Sequence, residues 1–479
     1  MRMVFEALSR HASETPDATA FRDDTGAVTW PDLSGRVAGL AQRLEAAPQT
    51  VAIAVPGGID YVVADLALTL AGKRQVPLPF FFSPGQTDHI LQECDAEAVI
   101  TTDSDVFAGS PFQVISPRAA PAGPLPAYPG GAERVIYTSG SSGDPKGVII
   151  GDRQLDASLA ALSDVIGAGP RDRHLSVLPL PQLLEQICGI FLPILAGAEC
   201  VMRFDATRAL LGGPIEGLIR AMDQCQPTTS LLAPGLLGRW VAAIEHAGSS
   251  VPSSLRFVAV GGAASSPALV RSAEAAGIPV HEGYGLSECC SVVAMNRPGR
   301  NVPGTVGPVL ACSDVQIVDG EITVAGPTVM EGYLGGAPAP ARWCTGDLGR
   351  IEDGRLVVEG RKDALLVTPA GRNISPEWVE ARVNADPRVT SSALCLRDPD
   401  GVLVLIAVLA APMSAQEIAA RLQDLPGYAR PEAVIFTDPS EPGLLFPAGT
   451  PDRRVAAAIV NGRAAEPLPN PLQTERLAS

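Results

Sequence analysis

The sequence predicts an α/β fold. A large N-terminal domain has α/β layers plus a β-rich subdomain, and a small α+β domain follows it. Three observations predict this. Short apolar strand candidates alternate with helically spaced segments up to about residue 305. Two hairpin signals then replace the helices. Beyond residue 360, helices and strands mix again.

In chain order, Val51–Val55 reads as a buried strand, and Tyr61–Ala71 has the apolar spacing of a helix. Arg134–Tyr137, Arg256–Val260 and Pro279–His281 are short strand candidates, each running into a Gly-rich loop. Strand ends of that kind hold sites in α/β sheets. Val315–Val318 and Glu321–Val324 flank Asp319-Gly320, a strong hairpin signal. Arg350–Glu352 and Leu356–Val358 repeat the pattern around Asp353-Gly354. Ser375-Pro376 reads as a helix start, with Ser as N-cap and Pro in the first turn, and the helix runs through Trp378 and Val383. Leu403–Ala410 is a strand, Ala415–Leu422 a helix and Ala433–Thr437 a strand. The expected domains are 1–360 and 361–465. Residues 466–479 form a loose tail, in a Pro-rich stretch that begins near Arg463. No internal repeat is visible.

The 479 residues amount to about three domain-sized units. A composition of 46% apolar and 18% charged residues is globular. The net charge of −16 argues against a nucleic-acid or anionic-membrane surface. Anionic substrates would need a local positive site inside an acidic body. Lysine occurs only at Lys73, Lys146 and Lys362, so few lysines are available for chemistry. The nine cysteines lack CxxC spacing and read as reduced, mostly buried thiols of a cytoplasmic protein. No signal peptide is expected, because the N-terminus runs straight into polar sequence at Ser9 to Asp17. The most apolar stretch, Ile187 to Val201, contains Pro193 and falls short of the ~20 residues a membrane span needs.

The segment Thr138-Ser139-Gly140-Ser141-Ser142-Gly143-Asp144-Pro145-Lys146-Gly147 follows a strand candidate. Glycines let backbone N–H groups approach phosphate oxygens, hydroxyls add donors, and the lysine adds a point charge. Pro145 stands where the GxxxxGK[ST] pattern requires its second glycine, so this is no P-loop of that type. On composition alone, a solvent-exposed polar turn explains the segment equally well. The preceding strand and the rarity of lysine favour a phosphate site.

The segment resembles the signature phosphate loop of the adenylate-forming superfamily, which includes acyl-CoA synthetases, peptide-synthetase adenylation domains and luciferases. Further motifs follow in that family's order. Val28-Thr29-Trp30-Pro31-Asp32-Leu33 is similar to an early structural motif, and Gly261-Gly262-Ala263 to the loop that carries the adenine. Gly283-Tyr284-Gly285-Leu286-Ser287-Glu288 resembles the Tyr-Gly-x-Thr-Glu motif, with Ser287 in place of the usual threonine. Thr345-Gly346-Asp347 resembles the ribose-holding motif. Gly360-Arg361-Lys362-Asp363 and Gly371-Arg372-Asn373-Ile374 resemble the hinge and the loop that enters the second active conformation. Leu178-Pro179-Leu180-Pro181-Gln182-Leu183-Leu184-Glu185-Gln186 and Trp378 lean toward the long-chain acyl-CoA synthetases. As a plain apolar run, the first of these also reads as a buried strand and helix. The resemblance covers nearly the whole chain.

The resemblance implies an ATP-dependent acid–thiol ligase whose small C-terminal domain is mobile and swings about Asp363. Lys146, Glu288, Ser287 and Arg361 would be catalytic, with Glu288 coordinating Mg²⁺. Thr138, Ser139, Gly140, Ser141, Ser142, Gly143, Gly261, Gly262, Ala263, Tyr284, Gly285 and Asp347 would bind the nucleotide, and Gly371 would line the thiol's tunnel. The acceptor would be CoA or a phosphopantetheine carrier protein, and the acid a fatty or other apolar one. Taken singly, each residue has a plainer reading: a solvated acid at Glu288, a packed loop aromatic at Tyr284, a turn aspartate at Asp347, a surface arginine at Arg361 and a turn acid at Asp363.

One position departs from the family. Its members carry a C-terminal lysine that contacts the carboxylate and the α-phosphate, and Thr450 stands there in this chain. No lysine follows Lys362. Losing one preorganised charge costs roughly 3–4 kcal/mol, or about 10²–10³ in rate. Arg453 or Arg454 could substitute. Three readings stay open: a working ligase rescued by arginine, an enzyme that favours the thioester step, and an adenylation-impaired nucleotide- or acyl-binding protein. A Ser-His-Asp hydrolase fits poorly, because the chain has five histidines and none lies near a Gly-x-Ser-x-Gly elbow.

Overall fold

The computed structural model describes residues 1–118, 120–139, 145–263, 265–369, 372–445 and 449–469. Two large sheets form the N-terminal part. One runs, in spatial order, Ser291–Met295, Val280–Leu286, Phe257–Val260, Thr229–Leu232, Arg173–Ser176, Glu199–Met202, Thr19–Asp23 and Gly26–Thr29. Its interior pairings are parallel, and its outermost strand at each end is antiparallel. The other runs Gly332–Tyr333, Pro145–Gly151, Glu133–Ser139, Arg74–Pro77, Thr50–Ala54, Ala98–Thr101 and Gln113–Ile115. Strands such as Thr229–Leu232 and Phe257–Val260 are buried throughout, because helices cover both faces of a parallel sheet. The helices Trp30–Leu44 and Gly58–Leu70 pack into the largest apolar core, where Trp30, Phe21 and Tyr61 are fully enclosed.

The β-rich subdomain is a four-stranded sheet, Asp314–Val318, Glu321–Ala325, Arg342–Glu352 and Arg355–Arg361. Both expected hairpins are present. Asp319 and Gly320 have φ of 50° and 82°, and Asp353 and Gly354 have 48° and 73°, the paired positive values a tight two-residue turn needs. The small C-terminal domain holds a second four-stranded sheet, Val389–Arg397, Val402–Leu409, Ala433–Thr437 and Glu466–Pro467, with helices Pro376–Val383, Ala415–Arg421 and Arg453–Gly462. Its two apolar cores draw only on residues beyond 365. Ser375 caps its first helix by accepting from the Trp378 N–H at 3.4 Å.

Three expectations need correction. The strand at Glu133–Ser139 and the strand at Val280–Leu286 both extend into segments expected as Gly-rich loops. Antiparallel neighbours, Pro145–Gly151 and Ser291–Met295, supply the pairing that continues them. At Gly285 a Cβ would run into the Ser291 carbonyl oxygen, so this glycine serves close strand approach. The expected loose tail begins as an edge strand: Glu466 and Pro467 pair with Val434 and Ala433. Pro467 is tolerated there because an edge strand can spare a donor. Residues 470–479 lie outside the described residues.

The apolar stretch from Ile187 to Val201 forms a wide helical turn, Gln186–Phe191, then Leu192–Ala196 and most of the strand Glu199–Met202. It is largely buried core. No described helix is long and apolar enough to cross a membrane. All nine cysteines are unpaired; seven are buried, Cys312 is half-buried and Cys344 exposed.

Candidate active site

The parallel strands Arg173–Ser176, Thr229–Leu232 and Phe257–Val260 and the start of Val280–Leu286 direct their carboxyl ends toward one cleft, where an α/β sheet ordinarily places a ligand. The cleft encloses about 570 Å³. Apolar wall comes from Phe81, Phe82, Leu178, Leu183, Leu184 and Met295. Polar wall comes from Thr138, Gly261, Gly262, Tyr284 and Ser287. The C-terminal domain closes the rim with Thr450 to Arg454. Asp452, Arg453 and Arg454 are the charged residues among those described that line it.

Leu183 and Leu184 are held from behind. The next residue but one, Gln186, accepts from buried Arg134 at 2.5 Å and donates to the Tyr61 hydroxyl at 3.0 Å. Arg134 also pairs with buried Asp65 at 3.1 Å, so neither charge is left uncompensated in the core. Gly262 adopts φ of 84° at the end of its strand, a turn that brings the backbone around the cleft wall.

Lys146, Glu288, Asp347 and Arg361 stand outside this lining. Tyr284 presents to the cleft while its hydroxyl donates to Asp347 Oδ2 at 2.6 Å. Arg361 donates to Asp347 Oδ1 at 3.2 Å and to Asp363 Oδ1 at 3.1 Å. Burial pushes the Asp347 carboxyl up, against the pull of the Tyr284 hydrogen bond and the Arg361 charge. Glu288 follows Ser287 in a single tight turn, and its Oε1 accepts from the Tyr333 hydroxyl at 2.8 Å. The Lys146 ammonium lies 5.6 Å from the centre of the same Tyr333 ring. Lys146, Glu288 and Tyr333 are thus one cluster, and Tyr284, Asp347 and Arg361 another. The other two lysines are committed elsewhere: Lys362 pairs with Glu321 at 2.8 Å, and buried Lys73 donates to the Ala47 carbonyl at 2.7 Å.

Thr138, Gly261, Gly262, Tyr284, Gly285 and Ser287 all come to the cleft. Ala263 is exposed beside it and outside its lining. Gly140, Ser141, Ser142, Gly143 and Gly371 lie outside the described residues, as does the side chain of Ser139. Tyr333 was not singled out in the sequence. Its only local signal is an aromatic in a short strand, Gly332–Tyr333, whose partner Val148 lies far away in the chain.

The description of the AMP-binding enzyme family matches residues 8–334. The chain belongs to the AMP-binding enzymes. Among curated members, the 2-succinylbenzoate–CoA ligase of Bacillus licheniformis is 27% identical over 90% of this chain and 95% of its own length. The isonitrile lipopeptide synthase of Streptomyces coeruleorubidus is 29% identical over 91% of this chain, which spans 32% of that longer protein. Among solved structures, the o-succinylbenzoate CoA synthetase of Bacillus subtilis in complex with its acyl-adenylate intermediate superposes with a TM-score of 0.79. That alignment covers 96% of this chain and 99% of the other at 23% identity, so it shows the shared fold. The AMP-binding enzyme architecture accounts for the large N-terminal domain, the β-rich subdomain and the small C-terminal domain together.

Proposed function

We propose that this chain activates a neutral, apolar carboxylic acid with ATP and passes the acyl group to a thiol. The observation that carries this reading is the composition of the cleft. Outside the rim from the C-terminal domain, its described lining residues bear no charge. A second carboxylate or an amino group on the acid would find no counter-ion there and would be desolvated at a cost of several kcal/mol. A fatty, aryl or other apolar acid fits such walls.

In this reading the acid's carboxylate attacks the α-phosphorus of ATP and pyrophosphate leaves. The thiol then displaces AMP. Thr138, Ser139, Gly140, Ser141, Ser142, Gly143 and Lys146 attend the phosphates, with Ser287 beside them. Tyr284 offers a ring face to the adenine near Gly261, Gly262, Ala263 and Gly285. Asp347 accepts from the ribose hydroxyls, with Arg361 alongside. The residues present suit Mg²⁺: one carboxylate, Glu288, is already oriented by Tyr333, and Mg²⁺ ordinarily takes one or two carboxylates together with substrate phosphates. When bound it would neutralise phosphate charge. The acceptor is CoA or a carrier-borne phosphopantetheine; an acidic chain favours the former over an acidic carrier. Asp363 would serve as hinge between 1–360 and 361–465, and Gly371 would line the thiol's path. The unpaired cysteines suit a reducing compartment such as the cytoplasm.

Thr450 favours a second reading. It lines the cleft without charge, and an adenylation-impaired protein would bind nucleotide or acyl-adenylate and turn over slowly or only in the thioester step. ATP–pyrophosphate exchange across aryl, fatty, dicarboxylic and amino acids separates the two. Exchange with neutral apolar acids alone supports the first reading. Binding of acyl-adenylate with no exchange for any acid supports the second.

A further inference from the structure

Bringing a carboxylate against a triphosphate sets two anions in contact, so the cleft needs a cation where they meet. The cleft's described lining residues include two cations, Arg453 and Arg454, adjacent in sequence and at the start of the helix Arg453–Gly462.

Their surroundings differ. The Arg453 guanidinium is spent: it donates to both oxygens of Glu380, to Oε2 at 2.8 Å and to Oε1 still closer, and to Glu377 at 3.3 Å. Glu380 is buried and has no other cation among its contacts with the described residues, so releasing Arg453 would strand a carboxylate. Among the described residues, Arg454 has no such duty. Its side chain is 80% exposed, and its ionic contact is Asp452 at 3.8 Å, beyond hydrogen-bond range. Asp452 Oδ1 is itself occupied in capping the helix, accepting from the backbone N–H of Arg454 at 2.8 Å and of Val455 at 3.4 Å. Arg454 therefore has an anchored backbone and an uncommitted guanidinium on the rim of the cleft.

We propose that Arg454 is a catalytic residue of the activation step. The inference rests on the ligase reading above. One carboxylate oxygen forms a bond to the α-phosphorus while the bond from that phosphorus to the bridging oxygen of pyrophosphate breaks, and pyrophosphate leaves with the electron pair. No proton moves. The Arg454 fork spans the carboxylate and the α-phosphate and stabilises charge that concentrates as they join.

The test compares wild type, Arg454→Ala, Arg454→Lys and Thr450→Lys in ATP–pyrophosphate exchange, with the thioester half-reaction measured separately from supplied acyl-adenylate. Arg454→Ala is expected to lose about 10²–10³-fold in the exchange kcat, with a much smaller effect on the thioester half-reaction. Arg454→Lys should recover a substantial part of the loss. Exchange by Arg454→Ala within a few-fold of wild type overturns the proposal while leaving the ligase reading in place. Exchange absent in wild type but present in Thr450→Lys also overturns it and supports the adenylation-impaired reading. Absence in both overturns the ligase reading and this proposal with it.

Discussion

The Tyr333 hydroxyl donates to Glu288 Oε1 at 2.8 Å across 45 residues of chain, and the Lys146 ammonium sits over the same ring. Tyr333 therefore orients the carboxylate proposed to hold Mg²⁺. Outer-shell partners of this kind are worth about 10–100-fold in metal affinity or activity. Tyr333→Phe should raise the Mg²⁺ concentration needed for half-maximal exchange by that factor while leaving the melting temperature close to wild type. An unchanged Mg²⁺ dependence would remove the positioning role.

Asp347 receives hydrogen bonds on both oxygens, from Tyr284 and from Arg361. If it also receives the ribose hydroxyls, Asp347→Ala removes charge-assisted bonds worth about 1.5–3 kcal/mol. The KM for ATP should then rise roughly 10- to 100-fold, with little change in the KM for the acid. Equal effects on both substrates would point to a general collapse of the cleft instead.

Arg453 serves the fold of the C-terminal domain by satisfying Glu380. Arg453→Ala should destabilise the protein by about 3 kcal/mol, because a buried carboxylate loses its counter-ion. Pairing it with Glu380→Leu should recover most of that loss. Denaturant unfolding of the single and double variants checks this, and equal stability of the two would refute it.

Glu282 is buried on the strand Val280–Leu286 and accepts from the Gly304 N–H at 3.3 Å. Burial, offset by that hydrogen bond and reinforced by Glu274, pushes its carboxyl up to about 8. The folded state thus favours the protonated form. Its stability contribution is fully present below the ordinary carboxylate pKa of about 4.5 and is lost as pH rises toward 8. Glu282→Gln keeps an acceptor without the charge. Its melting temperature should match wild type near pH 5 and exceed it by a few degrees at pH 8. A difference independent of pH would show that Glu282 does not titrate in that window.

Much of the fold was legible because its signals are local. Asp319-Gly320 and Asp353-Gly354 make the turns their chemistry calls for, and Ser375-Pro376 opens a helix with Ser375 as its cap. Gly285 misled because a glycine reads locally as loop, whereas here its missing side chain admits a neighbouring strand. Pro467 misled because a proline blocks a central strand but not an edge. The ordered motifs foretold Thr138, Gly261, Gly262, Tyr284, Gly285 and Ser287 as one group, and these six meet at the cleft. Lys146, Glu288, Asp347 and Arg361 were foretold with them, but none of these four lines the cleft.

By itself, then, the sequence determined the fold class, the hairpins and caps, the family resemblance and the uncharged Thr450. Turn chemistry, periodicity and motif order are all written in neighbouring residues. Only the tertiary structure decided that Tyr333 supports Glu288 and that Arg453 is bound to Glu380, leaving Arg454 uncommitted. Two adjacent arginines are indistinguishable as letters. What separates them is a buried carboxylate 73 residues away, brought within hydrogen-bond range only by the packing of the C-terminal domain.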